Sequence, residues 1–158
     1  MSLIPFIDWC NQLGIGIAIR KSTWLFPIIE TVHLIALTVL LGTVLIVALR
    51  LFGLILRRQE VPRLAADLAP WTFGAVCTMV ITGILLFVSE PVKCYNNPPF
   101  RLKMMFLLLA ITYHFTVYRK LTNRAPGLPS PASQKVAAAL SLLLWFGVGL
   151  AGRAIGFY

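Results

Sequence analysis

The chain has 158 residues, the length of a single domain, of which 59% are Ala, Val, Ile, Leu, Met, Phe, Trp, Tyr or Cys and only 12% are charged. An ordinary soluble domain is roughly 45–50% apolar and about 25% charged, so this chain holds too little polar material to cover a water-soluble fold and is expected to be an integral membrane protein. The excess of 14 Lys and Arg over 5 Asp and Glu, net +9, then belongs beside anionic lipid headgroups, and no nucleic-acid partner is expected.

Residues 1–21 mix Leu3, Ile4, Phe6, Ile7 and Trp9 with Asp8, Asn11 and Gln12. With neither a basic start nor a small-residue cleavage site they do not make a signal peptide, and they predict an amphipathic helix lying in the interface with Trp9 at headgroup depth. A first spanning helix is predicted over 22–56, opened by a Ser22/Thr23 cap and closed by Arg57 and Arg58. The stretch Gln59 to Pro70 carries Pro62, Arg63 and Asp67 and predicts a polar connector. Spans follow over 71–88, 100–120 and 136–157, separated by a Pro- and Asn-rich turn, Ser89 to Pro99, and a loop, Leu121 to Lys135, holding Pro126, Pro129 and Pro131. The expected fold is therefore all-α: an integral membrane four-helix bundle over 22–158 with an N-terminal interfacial amphipathic helix. Four spans of about 20 residues each leave no room for a separate soluble catalytic domain.

Basic residues resist translocation. Arg50, Arg57, Arg58, Arg63, Arg119, Lys120, Arg124 and Lys135 gather on one side, against Arg20, Lys21, Lys93, Arg101, Lys103 and Arg153 on the other. That bias puts both termini outside. Cys10 and Cys94 then share the oxidising side, either bridged or as free thiols. With Cys77 they lack the CxxC or CxxCH spacing of a zinc site or covalent haem.

Ionisable groups cost about 2.5–3.5 kcal/mol or more at the centre of a span, so Glu30, His33, Arg50, Lys103, His114 and Arg153 each need a reason. Glu30 and His33, three apart, share a helix face; they suit either one metal or a hydrogen-bonded pair facing the interior. Lys103 and His114 lie on one stripe of the third span but about 16 Å apart along its axis. His33 and His114 therefore sit at different depths, and Lys103 is the better placed to approach His33. Lys103 could equally snorkel to the headgroups, and His114 could bond a backbone carbonyl. Arg101, Arg153 and Arg20 near helix ends suit haem propionates or lipid phosphate alike. Gly74, Gly83, Gly147, Gly149, Gly152 and Gly156 let helices or a flat ring approach closely.

The runs Glu30-Thr31-Val32-His33, Arg50-Leu51-Phe52-Gly53, Tyr95-Asn96-Asn97-Pro98-Pro99-Phe100-Arg101-Leu102-Lys103 and Gly152-Arg153 resemble a bacterial family of small four-helix membrane proteins of unassigned function. The first and third spans also resemble those of the four-helix membrane protoporphyrinogen oxidase and, more loosely, the copper-resistance D membrane domain. In that oxidase family a first-helix histidine and a lysine opening a later helix are the important pair, associated with haem b; they correspond to His33 and Lys103, and Tyr113-His114 matches a Tyr-His step further along. The resemblance implies a multi-pass protein of the bacterial inner membrane with periplasmic termini, and haem b bound by His33, with Lys103 or His114 as second ligand or propionate partner and Arg101 and Arg153 beside the propionates. Electron transfer with a quinone or a periplasmic redox partner would follow. Two other functions stay open: a porphyrinogen-oxidising, haem-dependent oxidoreductase, and a copper or other metal conduit or assembly subunit using Glu30, His33, Met104 and Met105. A homo-oligomer is expected, because four helices offer a cofactor few walls.

Overall fold

The computed structural model describes residues 4–118 and 131–157, and every regular element among them is helical. Two short helices, α1 (Ile4–Asn11) and α2 (Gly14–Lys21), precede α3 (Leu25–Leu51) and α4 (Val61–Ser89). The short α5 (Pro91–Asn96) leads into α6 (Pro98–Tyr113), which a π-helical turn (His114–Tyr118) prolongs. The last helix, α7 (Pro131–Ala154), ends in a 3-10 turn (Ile155–Phe157). Four of these segments are long and apolar enough to cross a membrane.

Several boundaries differ from the sequence-based expectation. The second long helix begins at Val61, not at Trp71. Its polar residues are one face of a helix: Arg63 and Asp67 are exposed while Leu64 is buried and Leu68 packs beside it. Pro62 falls in the first turn, where a missing N–H costs nothing. The first long helix stops at Leu51 because Gly53 and Leu56 take positive φ, 76° and 49°, in the turn that follows. The expected loop Leu121 to Lys135 lies mostly outside the described residues, but 131–135 already belong to α7. Cys10, Cys77 and Cys94 are free thiols.

The N-terminal segment is two packed helices where one interfacial helix was expected. Leu13 is extended (φ −63°, ψ 128°) and breaks the run. The break lets Gly16 meet the Val88 carbonyl so closely that a Cβ there would overlap it. The Arg20 guanidinium donates to the Asn11 side chain and to its carbonyl, fastening α2 to α1, and Ile7, Cys10 and Ile19 are buried.

Helix α3 packs along both α4 and α7, and α6 packs along α7, whereas among the described residues the α4 and α6 backbones do not approach each other closely and touch through side chains such as Phe87 and Phe100. The bundle is thus a horseshoe, α4–α3–α7–α6, with an open seam. Leu40, Val44, Met79, Ala110, Trp145 and Val148 form its core. A second cluster, Val47, Ala48, Leu51, Leu64 and Ala138, closes the far end. There the Thr72 hydroxyl lies 3.0 Å from that of Thr43, and Tyr113 donates to the Ala137 carbonyl at 3.2 Å. Outward-facing Leu34, Ile35, Ile81, Leu108 and Leu150 are half or more exposed. An apolar outside around an apolar core is the surface expected where lipid is the solvent.

Candidate functional site

The start of α3, the end of α4, the start of α6 and the end of α7 meet at one end of the bundle. Two residues fix how α6 enters. Asn97, only 4% exposed, accepts from the Phe100 N–H at 3.2 Å as its N-cap and donates to the Ile155 carbonyl at 3.2 Å. The α6 start is thereby tied to the α7 end, which sets the height of Lys103 against α7.

His33 is buried, and its ring is held from two sides. The Thr82 hydroxyl donates to the Thr78 carbonyl at 2.6 Å, which leaves its lone pairs for His33 Nδ1 at 2.8 Å. Nδ1 is therefore the protonated nitrogen, and Nε2 carries the free lone pair. That lone pair points to Lys103 Nζ, 3.3 Å away, which donates to it. Glycines make the room on both sides. A Cβ on Gly83 would lie 3.5 Å from His33 Cε1, and one on Gly152 would lie 3.6 Å from Lys103 Nζ.

Two openings meet at this pair. One, about 340 Å³, occupies the seam between α4 and α6. Val76, Val80 and Ile84 face Met104 and Leu107, with His33, Lys103 and Trp145 among the lining residues. The other, about 540 Å³, lies between α3 and α7 and is lined by Glu30, Leu34, Leu37, Gly149, Gly152 and Arg153, among others, before reaching Cys94 and Lys103. The rings of Phe87 and Phe100 stack at 5.7 Å and border both.

Charge around the pair is one-sided. Glu90 pairs with Lys93 at 3.3 Å, and among the described residues no carboxylate lies within ion-pair distance of Lys103. Burial, and then the neighbouring Glu90 carboxylate, push the Cys94 thiol up from its usual range, so it stays protonated near neutrality. Among the described residues no three of His, Cys, Asp and Glu gather to hold a bare ion.

The model for a family of unknown function, DUF6644, matches residues 6–158. The chain belongs to the DUF6644 family. No curated protein and no solved structure matches it, so what a DUF6644 chain does has to be argued from its own residues.

Of the residues singled out from sequence, His33 and Lys103 are brought together. Glu30 borders the wider opening but is exposed, and His33 bonds Thr82 and Lys103 in place of Glu30. Three residues turn a helix by 300°, and the resulting 60° offset leaves one side chain inward and the other at the rim. Arg153 lines the wider opening with its guanidinium 5.7 Å from the Phe157 ring. Arg101 is exposed and turns away, bonded to the Tyr95 carbonyl at 3.1 Å and over the Tyr95 ring at 5.4 Å. His114 lies in the π-helical turn, 6.3 Å from the Trp145 ring, and lines neither opening. Met104 lines the seam, and Met105 is half exposed on the outside. Sequence reasoning missed Thr82 and Trp145; the signal for the first was a hydroxyl beside Gly83 in an otherwise apolar run.

Proposed function

We propose that this protein is a membrane-embedded b-type haem protein of the bacterial inner membrane, with both termini periplasmic and its redox site near that face. The observation that carries the reading is the His33 ring: buried, oriented through Nδ1–H by Thr82, in the wall of two openings, with Nε2 toward Lys103. Orientation through the second ring nitrogen is how proteins prepare an imidazole as a ligand.

The donor set distinguishes haem from a bare ion. A copper or zinc site needs several protein ligands, and no such cluster surrounds His33 among the described residues. Haem brings its own four nitrogens and asks the protein for one or two. The wider opening, about 540 Å³, falls within the roughly 300–1,000 Å³ of ordinary ligand sites, and its glycines suit a flat ring. His33 would hold the iron, while Lys103 and Arg153 would meet the carboxylates. When bound, haem supplies one-electron transfer. The chain's part is to fix the imidazole, neutralise the carboxylates and keep water away with Phe87, Phe100 and Leu37. Lys103 donates to His33 Nε2 and would have to leave that nitrogen for His33 to hold the iron.

The test is a visible spectrum of the purified protein, oxidised and then reduced, expressed with haem precursor supplied. A b-type spectrum that disappears in a folded His33→Ala variant supports the reading; colourless wild-type protein refutes it. The Lys103 amine, with no carboxylate beside it among the described residues, favours a second reading, oxidation of a carboxylate-bearing porphyrinogen. Rescue of a strain lacking that oxidase distinguishes the two.

A further inference from the structure

Helix α6 is the outlying member of the bundle. Its backbone runs close to one long helix only, α7, and 6% of its apolar stretch is buried, against 28% to 39% in the other three spans. Its outward face also carries a hydroxyl that nothing satisfies. The described spans hold eight threonines, and seven turn the hydroxyl back to a carbonyl of their own helix, as Thr78 does to Gly74 and Thr116 to Thr112. The exception is Thr112, which is exposed and whose hydroxyl bonds nothing among the described residues. Thr112 lies about 21 Å along the helix from Pro98 and about 7.5 Å from Val117, the two ends of the span. Ester carbonyls at the headgroups are out of reach at that depth, and an acyl chain offers no acceptor.

The acceptor that fits is a second hydroxyl of the same kind. A threonine hydroxyl both donates and accepts, so two copies of Thr112 across a twofold axis satisfy each other: one donates to its twin, and the twin donates to the Leu108 carbonyl of its own helix. Copies of one chain insert in the same direction, so a twofold axis along the membrane normal sets the two α6 helices parallel with like residues opposite. Met105, Leu108 and Thr112 follow one another at spacings of three and four, a period of about 3.5 that keeps one stripe against a parallel partner crossing at about 20°. Met105 is 50% and Leu108 63% exposed, so both are free for that contact. We infer that the protein forms a parallel twofold dimer in the membrane through α6, packed by Met105 and Leu108 and joined by a hydrogen bond between the two Thr112 hydroxyls. Arg101 falls on the same stripe about 16.5 Å nearer the helix start, where the crossing has spread the helices by about 6 Å, and its guanidinium is turned onto Tyr95. Lys103 is nine residues from Thr112, two and a half turns, and faces away from the axis. The dimer therefore leaves each His33–Lys103 pair complete within its own chain.

The inference goes beyond the haem reading and does not rest on it. Full-length protein carrying Cys10→Ser, Cys77→Ala and Cys94→Ser receives one new cysteine at a time and is oxidised with copper phenanthroline in its own membranes. Leu108→Cys and Thr112→Cys should give a disulfide-linked dimer on a non-reducing gel, because residues on a parallel twofold axis meet their own copies. Ile81→Cys on α4 and Leu150→Cys on α7, 61% and 71% exposed in the parent, should stay monomeric. The second measurement is energy transfer between donor- and acceptor-labelled protein in liposomes, followed as lipid is added. The unsubstituted chain should dimerise. Thr112→Val should weaken the dimer about 3–10-fold, as loss of one neutral hydrogen bond does, and Thr112→Ser should match the parent. Thr112 faces outward, so helix content by circular dichroism should be the same in all three. Energy transfer absent at every dilution, cross-links through Ile81→Cys or Leu150→Cys in place of the α6 positions, α6 cysteines linked to a protein of another size, or a Thr112→Val dimer as tight as the parent each overturn the inference. Haem absorption bears on none of these outcomes, so the dimer and the haem reading fail separately.

Discussion

Changing Thr82 to Val keeps the shape of the side chain and removes the acceptor that orients His33. Thr82 is 7% exposed, and its hydroxyl lies 2.8 Å from His33 Nδ1, so water cannot readily replace it. The imidazole N–H then keeps only the Met79 carbonyl beside it as an acceptor, and loss of the better-placed hydroxyl costs up to about 1–3 kcal/mol. Loss of an outer partner of a metal-bound histidine lowers affinity by about 10–100-fold, which is about 1.4–2.7 kcal/mol and of the same size. The bond from Thr82 to the Thr78 carbonyl adds little, because that carbonyl keeps its place in the helix ladder. Titrating cofactor-free protein in nanodiscs with haem should therefore give a dissociation constant about 10–100-fold higher for Thr82→Val, with helix content by circular dichroism unchanged. Thr82→Ser should restore most of the affinity. Wild-type affinity in Thr82→Val, or an equal loss in Thr82→Ser, would refute the orienting role.

Three further outcomes follow from the geometry. Gly83→Ala should keep haem binding, since its Cβ meets His33 Cε1 at an ordinary 3.5 Å, whereas Gly83→Leu should displace the ring and abolish the absorption spectrum. Asn97→Ala removes both the α6 cap and the bond to the Ile155 carbonyl. It should lower stability by about 1–3 kcal/mol in denaturant titrations, and Asn97→Asp, which keeps only the cap, should lie between it and the parent. Because burial and Glu90 raise the Cys94 thiol, its thiolate fraction at pH 7–8 is below that of a free cysteine. Alkylation of Cys94, followed by mass spectrometry of its peptide, should be slow there, quicken as pH rises, and be faster at pH 8 in Glu90→Gln.

The number and rough extent of the long helices were legible because runs such as Ile28 to Val47 have no reading other than a buried or spanning helix. Legible too was the shared height of His33 and Lys103, since helix rise fixes depth once the antiparallel order is known. The start of α4 was not, because Arg63, Asp67 and Pro70 make an exposed helix face look like a loop when the partner of Leu64 and Leu68 is unseen. Thr82 was hidden for a related reason. Which α4 residue meets His33 depends on the register of α4 against α3, and that is set by the turn holding Gly53 and Leu56 and by close contacts such as Gly83 on His33. The seam needed the packing order: nothing in the separate helices says that the α4 and α6 backbones stay apart and leave an opening lined by Val76, Met104 and Trp145 between them.

The reduced-minus-oxidised visible spectrum of the purified wild-type protein, beside His33→Ala and His114→Ala, bears most directly on the central claim. A b-type α band in the wild type and in His114→Ala, absent from a folded His33→Ala, is the expected result. Wild-type protein without tetrapyrrole after growth with haem precursor, or an unchanged band in His33→Ala, would contradict the assignment of His33 Nε2 as the iron ligand.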